Sequence, residues 1–236
     1  MADEFLTTRW SLVEAIGAGD EARARVALGE LCEAYWFPLY AFVRRRGTSP
    51  EEAEDVVQGF FADLIERGDL GRVTRGAGRF RAFLKVAARN HLANLRDRER
   101  AQKRGGGRVR LGLDLGDAEQ RLALEPVHDE TPERTFDRLW ALELLHACLA
   151  ALEREYADSG RAETFDALRA ALAGGAERLD YAAAAARLGT SEGACRVAAT
   201  RLRQRLGEHL RARIAETVSS PREVEGELDE LMAALG

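Results

Sequence analysis

Apolar residues recur at three- and four-residue steps along nearly the whole chain, and that spacing buries them on one side only if the backbone is α-helical. Between residues 23 and 46, Val26, Ala27, Leu31, Tyr35, Leu39, Phe42 and Val43 fall on one face of a long helix. Ser49-Pro50-Glu51-Glu52 follows as a start signal, with Ser as N-cap, Pro at the first helical position and Glu at the third. It predicts a helix running to about Arg67. Gly68, Gly71, Gly76 and Gly78 then interrupt the pattern. A third helix from about Arg79 to Arg100 carries Phe80, Phe83, Leu84, Ala87, His91 and Leu95 on one stripe. Nothing reads as a strand, and no internal repeat of solenoid period is present.

From Gly105 through Pro132 the chain is rich in Gly, Pro and acids without a sustained period, which predicts a flexible acidic linker. Thr131-Pro132-Glu133 opens a further helix, with Phe136, Leu139, Trp140, Leu144, Leu145, Cys148 and Leu152 on its first stripe. Near the end, Tyr181–Leu188, Gly189 and Ser191–Val197 have the layout of a helix-turn-helix. Ala185 would let two helices cross closely, Gly189 supplies the turn, and Cys195 and Ala198 face inward. Ser220-Pro221-Arg222-Glu223 repeats the capping layout ahead of Val224, Leu228, Leu231 and Leu235, which predicts a short acidic amphipathic tail helix. The expected fold class is therefore all-α. Its parts are a helical domain over 1–104, a linker over 105–134, a helix-turn-helix domain over 135–215 and a tail helix over 216–236.

A chain of 236 residues with 46% apolar and 32% charged composition can bury cores of this kind. No window approaches eighteen uncharged apolar residues, so membrane insertion is not expected, and the acidic opening MADEFLTTRWSL leaves a cytoplasmic location as the expectation. Cys32, Cys148 and Cys195 lack the paired spacings of a zinc or redox site and read as reduced core thiols.

The net charge of -5 conceals segregation. Residues 67–110 hold 14 bases against 3 acids and residues 181–213 hold 7 against 2, whereas 111–180 hold 16 acids against 7 bases. Affinity for phosphate needs clustered cations rather than a positive total, so two basic blocks set apart by an acidic stretch suit two separate polyanion contacts. Each block alone could equally be a solvated helix face.

In the third helix Arg81, Lys85 and Arg89 recur every four residues opposite the apolar stripe, and Arg96, Arg100, Lys103 and Arg104 continue the charge. Such a ridge can track a phosphate backbone, and rings beside it can stack on unpaired bases. Phe80 and Phe83 stand there; each ring taken singly reads as core, and Phe80, in a glycine-punctuated entry, is the better candidate for a loop-exposed ring. In the helix-turn-helix, Glu192, Arg196, Thr200 and Arg203 lie opposite the apolar stripe, as suits a helix in the major groove.

The order of these parts resembles a bacterial extracytoplasmic-function (ECF) sigma factor, the small two-domain class of transcription initiation factors. The resemblance rests on Glu54-Asp55-Val56-Val57-Gln58-Gly59-Phe60-Phe61, on Phe80 through Asn90 with Asn94 and Arg96 following, and on Ser191 through Arg196 with Arg201 and Arg203. It covers about 24–104 and 135–213. It implies a non-enzymatic chain without cofactor that joins core RNA polymerase, recognises promoter DNA, helps melt it and initiates transcription. An anti-sigma factor would be a further partner. Carried over by position, Asp55, Gln58 and Phe61 would meet the polymerase clamp. Phe80, Arg81, Phe83, Lys85, Arg89, Asn90, Asn94 and Arg96 would meet the minus-ten element, with Asn90 near an extruded base. Ser191, Glu192, Arg196, Thr200, Arg201 and Arg203 would meet the minus-thirty-five element. Phe83, Asn94 and Ala198 depart from the residues common in the family, so its average promoter sequence does not transfer.

Two other classes compete. A DNA-binding regulator using only the helix-turn-helix would have no need of the basic, ring-bearing third helix. A helical hydrolase or metalloenzyme would need a catalytic constellation, yet His91, His128, His146 and His209 are scattered and no His-Glu-x-x-His or nucleophile elbow occurs. The tail, opposite in charge to the basic blocks, either packs on its own domain or acts as a docking or autoinhibitory element.

Overall fold

A computed structural model describes residues 21–66, 79–101, 117–125, 130–172 and 179–236. Among these residues all regular structure is helical, with no strand. The α-helices are α1 (Glu21–Arg44), α2 (Pro50–Glu66), α3 (Phe80–Ala101), α4 (Ala118–Leu124), α5 (Pro132–Asp158), α6 (Ala162–Leu168), α7 (Tyr181–Leu188), α8 (Glu192–Ala215) and α9 (Val224–Leu235). Short 3-10 turns follow α6 and precede α9. The chain forms two compact units, one of Met1–Glu143 with Ile214–Gly236 and one of Leu144–Arg213, so the division falls inside α5 and α8.

The first unit is built on the stripe expected for α1, whose Leu31, Tyr35, Leu39 and Phe42 are buried. The start of α2 is a reciprocal capping box: Glu52 N–H donates to Ser49 Oγ at 3.3 Å and Ser49 N–H donates to Glu52 Oε2 at 3.2 Å. Rings then lock the helices edge to face, Tyr35 against Phe80 at 5.5 Å and Phe42 against Phe136 at 6.4 Å. On α3 the buried stripe takes in Ala88 and Leu92, while Ala87, expected to be inward, is half-buried. His91 lies in this core against the Phe60 ring, its Nδ1 3.1 Å from Asp63 Oδ2.

The linker departs from expectation at Ala118–Leu124, which is helical and packs on α1. Seven residues are too few to show a period, and the docking comes from side chains instead. Glu119 accepts from Tyr40 Oη at 2.6 Å and from Arg44 Nε and Nη2 at 2.8 and 2.7 Å. The Arg121 guanidinium stands 4.0 Å from the Phe37 ring and 5.3 Å from Trp36, and pairs with Glu143. Linker residues 105–116 and 126–129, and the glycines at 68, 71, 76 and 78, lie outside the described residues.

In the second unit, Cys148, Leu152 and Tyr156 of α5 pack with Phe165, Leu168, Tyr181, Ala184, Ala185, Cys195 and Leu202 as the core. Asp180 caps α7 through the N–H groups of Ala182 and Ala183, both at 3.0 Å. Gly189 ends it at φ 61°, and Thr190 N–H returns to the Ala185 carbonyl at 3.0 Å. Ala199, not Ala198, is the fully buried alanine of α8, a shift of one residue in azimuth from the expected stripe. Glu155 accepts from Arg205 Nε at 2.8 Å and lies 2.9 Å from His209 Nε2. The Arg205 hydrogen bond, opposed by burial and helped by His209, holds the Glu155 carboxyl below its usual value.

All three cysteines are buried and free, and burial pushes the Cys32 thiol to about 12. No helix among the described residues is long and apolar enough to cross a membrane.

Two outcomes follow. Gly189→Ala forces a left-handed conformation on a residue with a Cβ, although nothing lies within 4 Å of where that atom would stand. Strain alone should cost about 1–2 kcal/mol, read as a lowered urea midpoint. The second concerns α4. The Arg44 hydrogen bond holds the Glu119 carboxyl at about 2 against an ordinary 4.5. A depressed folded-state value stabilises above the ordinary one and is lost as pH falls through the folded one. Acidification from pH 4.5 to 2 should therefore undock α4 and shift tryptophan emission from Trp36, and Glu119→Gln should show the shifted emission already at neutral pH.

Candidate nucleic-acid interface

On the first unit, α3 divides the residues expected to meet DNA into two groups. Phe80, placed by periodicity on the apolar stripe and by its glycine-rich entry as a candidate loop-exposed ring, is the first residue of the helix and 0% exposed, so the stripe holds and the exposed ring does not. Its N–H donates to the Thr217 carbonyl at 3.0 Å and its ring fills the space beside Tyr35, so it cannot stack on a base. Arg81, expected on an open ridge, is 6% exposed. Its Nη1 donates to Asp137 Oδ1 at 2.6 Å, and its Nε and Nη2 donate to Glu227 Oε1 and Oε2 at 2.5 and 3.0 Å. Burial works against the Arg81 charge, but these hydrogen bonds and charges, Glu227 foremost, outweigh it and raise its pKa. Lys85 Nζ is half-buried and donates to both oxygens of Asp137 at 2.8 and 2.7 Å. The expected ridge is thus tied to carboxylates at two of its three positions.

The second group is open. Phe83 is half-buried, its ring tilted 36° to that of Phe80 at 5.9 Å. Arg89, Asn90 and Asn94 are exposed. Phe83, Val86, Asn90 and Asn94 follow at three- and four-residue steps, so they form one strip along the helix with Arg89 at its border. Val86, large, apolar and exposed, was missed from sequence, where it sits one residue off the buried stripe. The strip offers a ring edge, an apolar side chain, two amides able to donate and accept, and one guanidinium. Those are the groups that hold an unpaired base by stacking and edge hydrogen bonds. Arg96 lies within α3 with no side chain described, and Lys103 and Arg104 lie outside the described residues.

On α2, Asp55 is exposed and Gln58 half-buried. Gln58 Oε1 is enclosed with no hydrogen-bond partner among the described residues. Phe61, expected at the surface, is 0% exposed in the core against Phe60 at 5.5 Å and contacts no partner directly.

On the second unit, the hydroxyl of Ser191 accepts from Ala194 N–H at 3.2 Å and so caps α8. Glu192, Arg196, Thr200 and Arg201 are exposed along the helix. Arg196 stands over the Tyr181 ring at 4.4 Å and 3.6 Å from Glu192, an orientation held in solvent by weak contacts. Thr200 Oγ1 donates to the Arg196 carbonyl at 3.0 Å. Arg203, expected on the open face, instead turns back to donate Nε to the Ala171 carbonyl at 3.0 Å and is half-buried. Among the described residues no group of three or more His, Cys, Asp or Glu could hold a metal ion. Compared with family models, with curated proteins and with solved structures, the chain matches none.

Phe80→Ala separates a core ring from a stacking ring. It should cost about 3–5 kcal/mol of stability, read by urea denaturation, because it empties a closed site between helices. Phe83→Ala should cost less.

Proposed function

We propose that this chain is an alternative sigma factor of the ECF type, which joins core RNA polymerase, recognises a promoter through both units and helps open it. The observation that carries the reading is the exposed strip Phe83, Val86, Asn90 and Asn94 with Arg89 on the first unit. A regulator that reads DNA only through a helix-turn-helix leaves that strip without a task. A base taken out of the stack costs a few kcal/mol, which a half-buried ring and two amides can offset. On this reading Arg196, Thr200 and Arg201 of α8 face the upstream element, with Gly189 as the turn of a helix-turn-helix domain. Asp55 and Gln58 offer α2 to the polymerase clamp, the enclosed Gln58 acceptor waiting for a donor.

Each unit presents only a few phosphate contacts, so either alone binds weakly and with a shallow salt dependence. Polymerase would set their separation and convert two weak contacts into one through effective concentration. The cytoplasmic location and a possible anti-sigma partner belong to this same proposal.

Run-off transcription from a promoter library with bacterial core polymerase, with and without the chain, tests the reading. Promoter-specific transcripts should appear only with it. Arg196→Glu should weaken upstream-element binding by about tenfold or more, the scale of one lost base or phosphate contact. Asn90→Ala with Asn94→Ala should leave closed-complex formation intact and reduce permanganate reactivity in the opened region. Failure to associate with core polymerase at low ionic strength rejects the proposal.

A further inference from the structure

Two cations at the start of α3, Arg79 and Arg81, are held by the C-terminal tail. After α8 the chain passes the N-terminus of α3, where the Thr217 carbonyl accepts from Phe80 N–H and Val218 is buried. It then enters α9, anchored by the buried Leu231. Ser220 caps the turn ahead of α9 as expected, its Oγ accepting from Arg222 N–H at 3.3 Å, and Glu223 Oε2 accepts from Ser219 N–H and Oγ at 3.0 and 2.9 Å. One turn of α9 then points two carboxylates at α3.

Glu227 is 0% exposed; besides its two bonds from Arg81 it pairs with Arg79 Nε at 2.9 Å. The Glu230 side chain, 52% exposed, accepts from Arg81 Nη2 at 2.5 Å and pairs with Arg79 Nη1. With Asp137 of α5 these make three carboxylates for the three cations Arg79, Arg81 and Lys85. A guanidinium fork takes a carboxylate and a phosphate in the same geometry, so the tail oxygens stand where phosphate oxygens could.

The cover is open at one edge. A cavity of about 270 Å³ lies beside it, lined by Arg81, Glu130, Arg134, Asp137, Glu230 and Ala233. The outer side of α9 remains in solvent, with Met232 exposed.

We infer that α9 is an intramolecular acidic cover that withholds Arg79 and Arg81 from nucleic-acid phosphates until it is displaced. The inference rests on the proposed reading of α3 as a DNA face. It exchanges one set of charge-assisted hydrogen bonds for another, so a polyanion held nearby can compete with the tail although an isolated anion cannot.

The test measures the affinity of the full chain, without polymerase, for a fluorescein-labelled single strand across about 50–200 mM salt. Glu230→Gln should bind tighter, and Glu227→Gln with Glu230→Gln about tenfold tighter, the scale of one charge-assisted hydrogen bond. The slope of log K against log salt should steepen by about 1.4 for two freed cations. Asp229→Asn, which removes the same charge from an exposed neighbour, should behave as the parent.

Variants that stay folded by circular dichroism and bind with the parent's affinity and slope overturn the inference, as does an equal gain in Asp229→Asn. Should the double variant fail to fold, Glu230→Gln decides, since its side chain is half in solvent. Core-polymerase association is scored separately. A chain that supports transcription while its tail variants stay unresponsive loses the cover and keeps the function. A chain that ignores polymerase loses the function whatever its tail does.

Discussion

A buried guanidinium commits everything around it. Arg81 lies inside the first unit within reach of Glu227, Glu230 and Asp137, so the first turn of α3, the start of α5 and the middle of α9 must meet at one point. The attraction in such a cluster is set against the cost of removing each ion from water, so it is a poor measure of net stability. Breaking it is another matter. Loss of Arg81 would strand Glu227, 0% exposed, where water cannot reach it, at a cost of about 3–5 kcal/mol. What the cluster contributes is register. Glu227 and Glu230 meet Arg81 together only when α9 lies on α3 in one orientation, and the 5.3 Å approach of Arg81 to the Trp140 ring restricts α5 in the same way.

This cluster marks the limit of what periodicity could reveal. Long stripes were legible because burial of apolar residues every three or four positions is a local pattern, and so were the starts at Ser49 and Thr131 and the turn at Gly189. A ridge of cations at four-residue steps carries no such guarantee. Successive members drift by about 40° around the axis, so Arg81, Lys85 and Arg89 sample different neighbours although they read as one row. The acids that decide the matter lie 146 positions away for Glu227 and 56 for Asp137. Periodicity separates inside from outside and says nothing about a counter-charge from a distant element. Phe80 was misplaced for the complementary reason. Glycines ahead of it suggested an open helix entry, whereas the Thr217 carbonyl, far along the chain, takes the Phe80 N–H and the entry is closed.

The linker shows the same limit at smaller scale. Gly and Pro content predicts interruption, but Ala118–Leu124 is held as a helix by contacts that no seven-residue window displays. A helix of two turns is marginal in water and depends on what its side chains reach. Glu119 reaches Arg44 and Tyr40, and Arg121 reaches the Phe37 ring, so α1 supplies the partners. Acids that looked like a featureless run are in part counter-ions assigned to named cations, as Glu125 and Glu130 are to Arg138.

Assigned and unassigned charges give the two faces different readiness. Arg196 is over half exposed, resting on Tyr181 and loosely on Glu192, and it can turn toward a phosphate or base edge at little cost. On α3 the exposed guanidinium described is Arg89, while Arg81 and Lys85 are bound to carboxylates. On the proposed reading, a free chain therefore meets DNA through α8 with few contacts, and nonspecific binding, which scales with the number of neutralised phosphates, stays low. The strip on α3 does not need those withheld cations for its own chemistry, because a ring and two amides address bases rather than the backbone. Cation release would then add affinity at the step when single-stranded backbone first comes within reach of the helix, and this division of labour is what segregated charge with a near-neutral total permits.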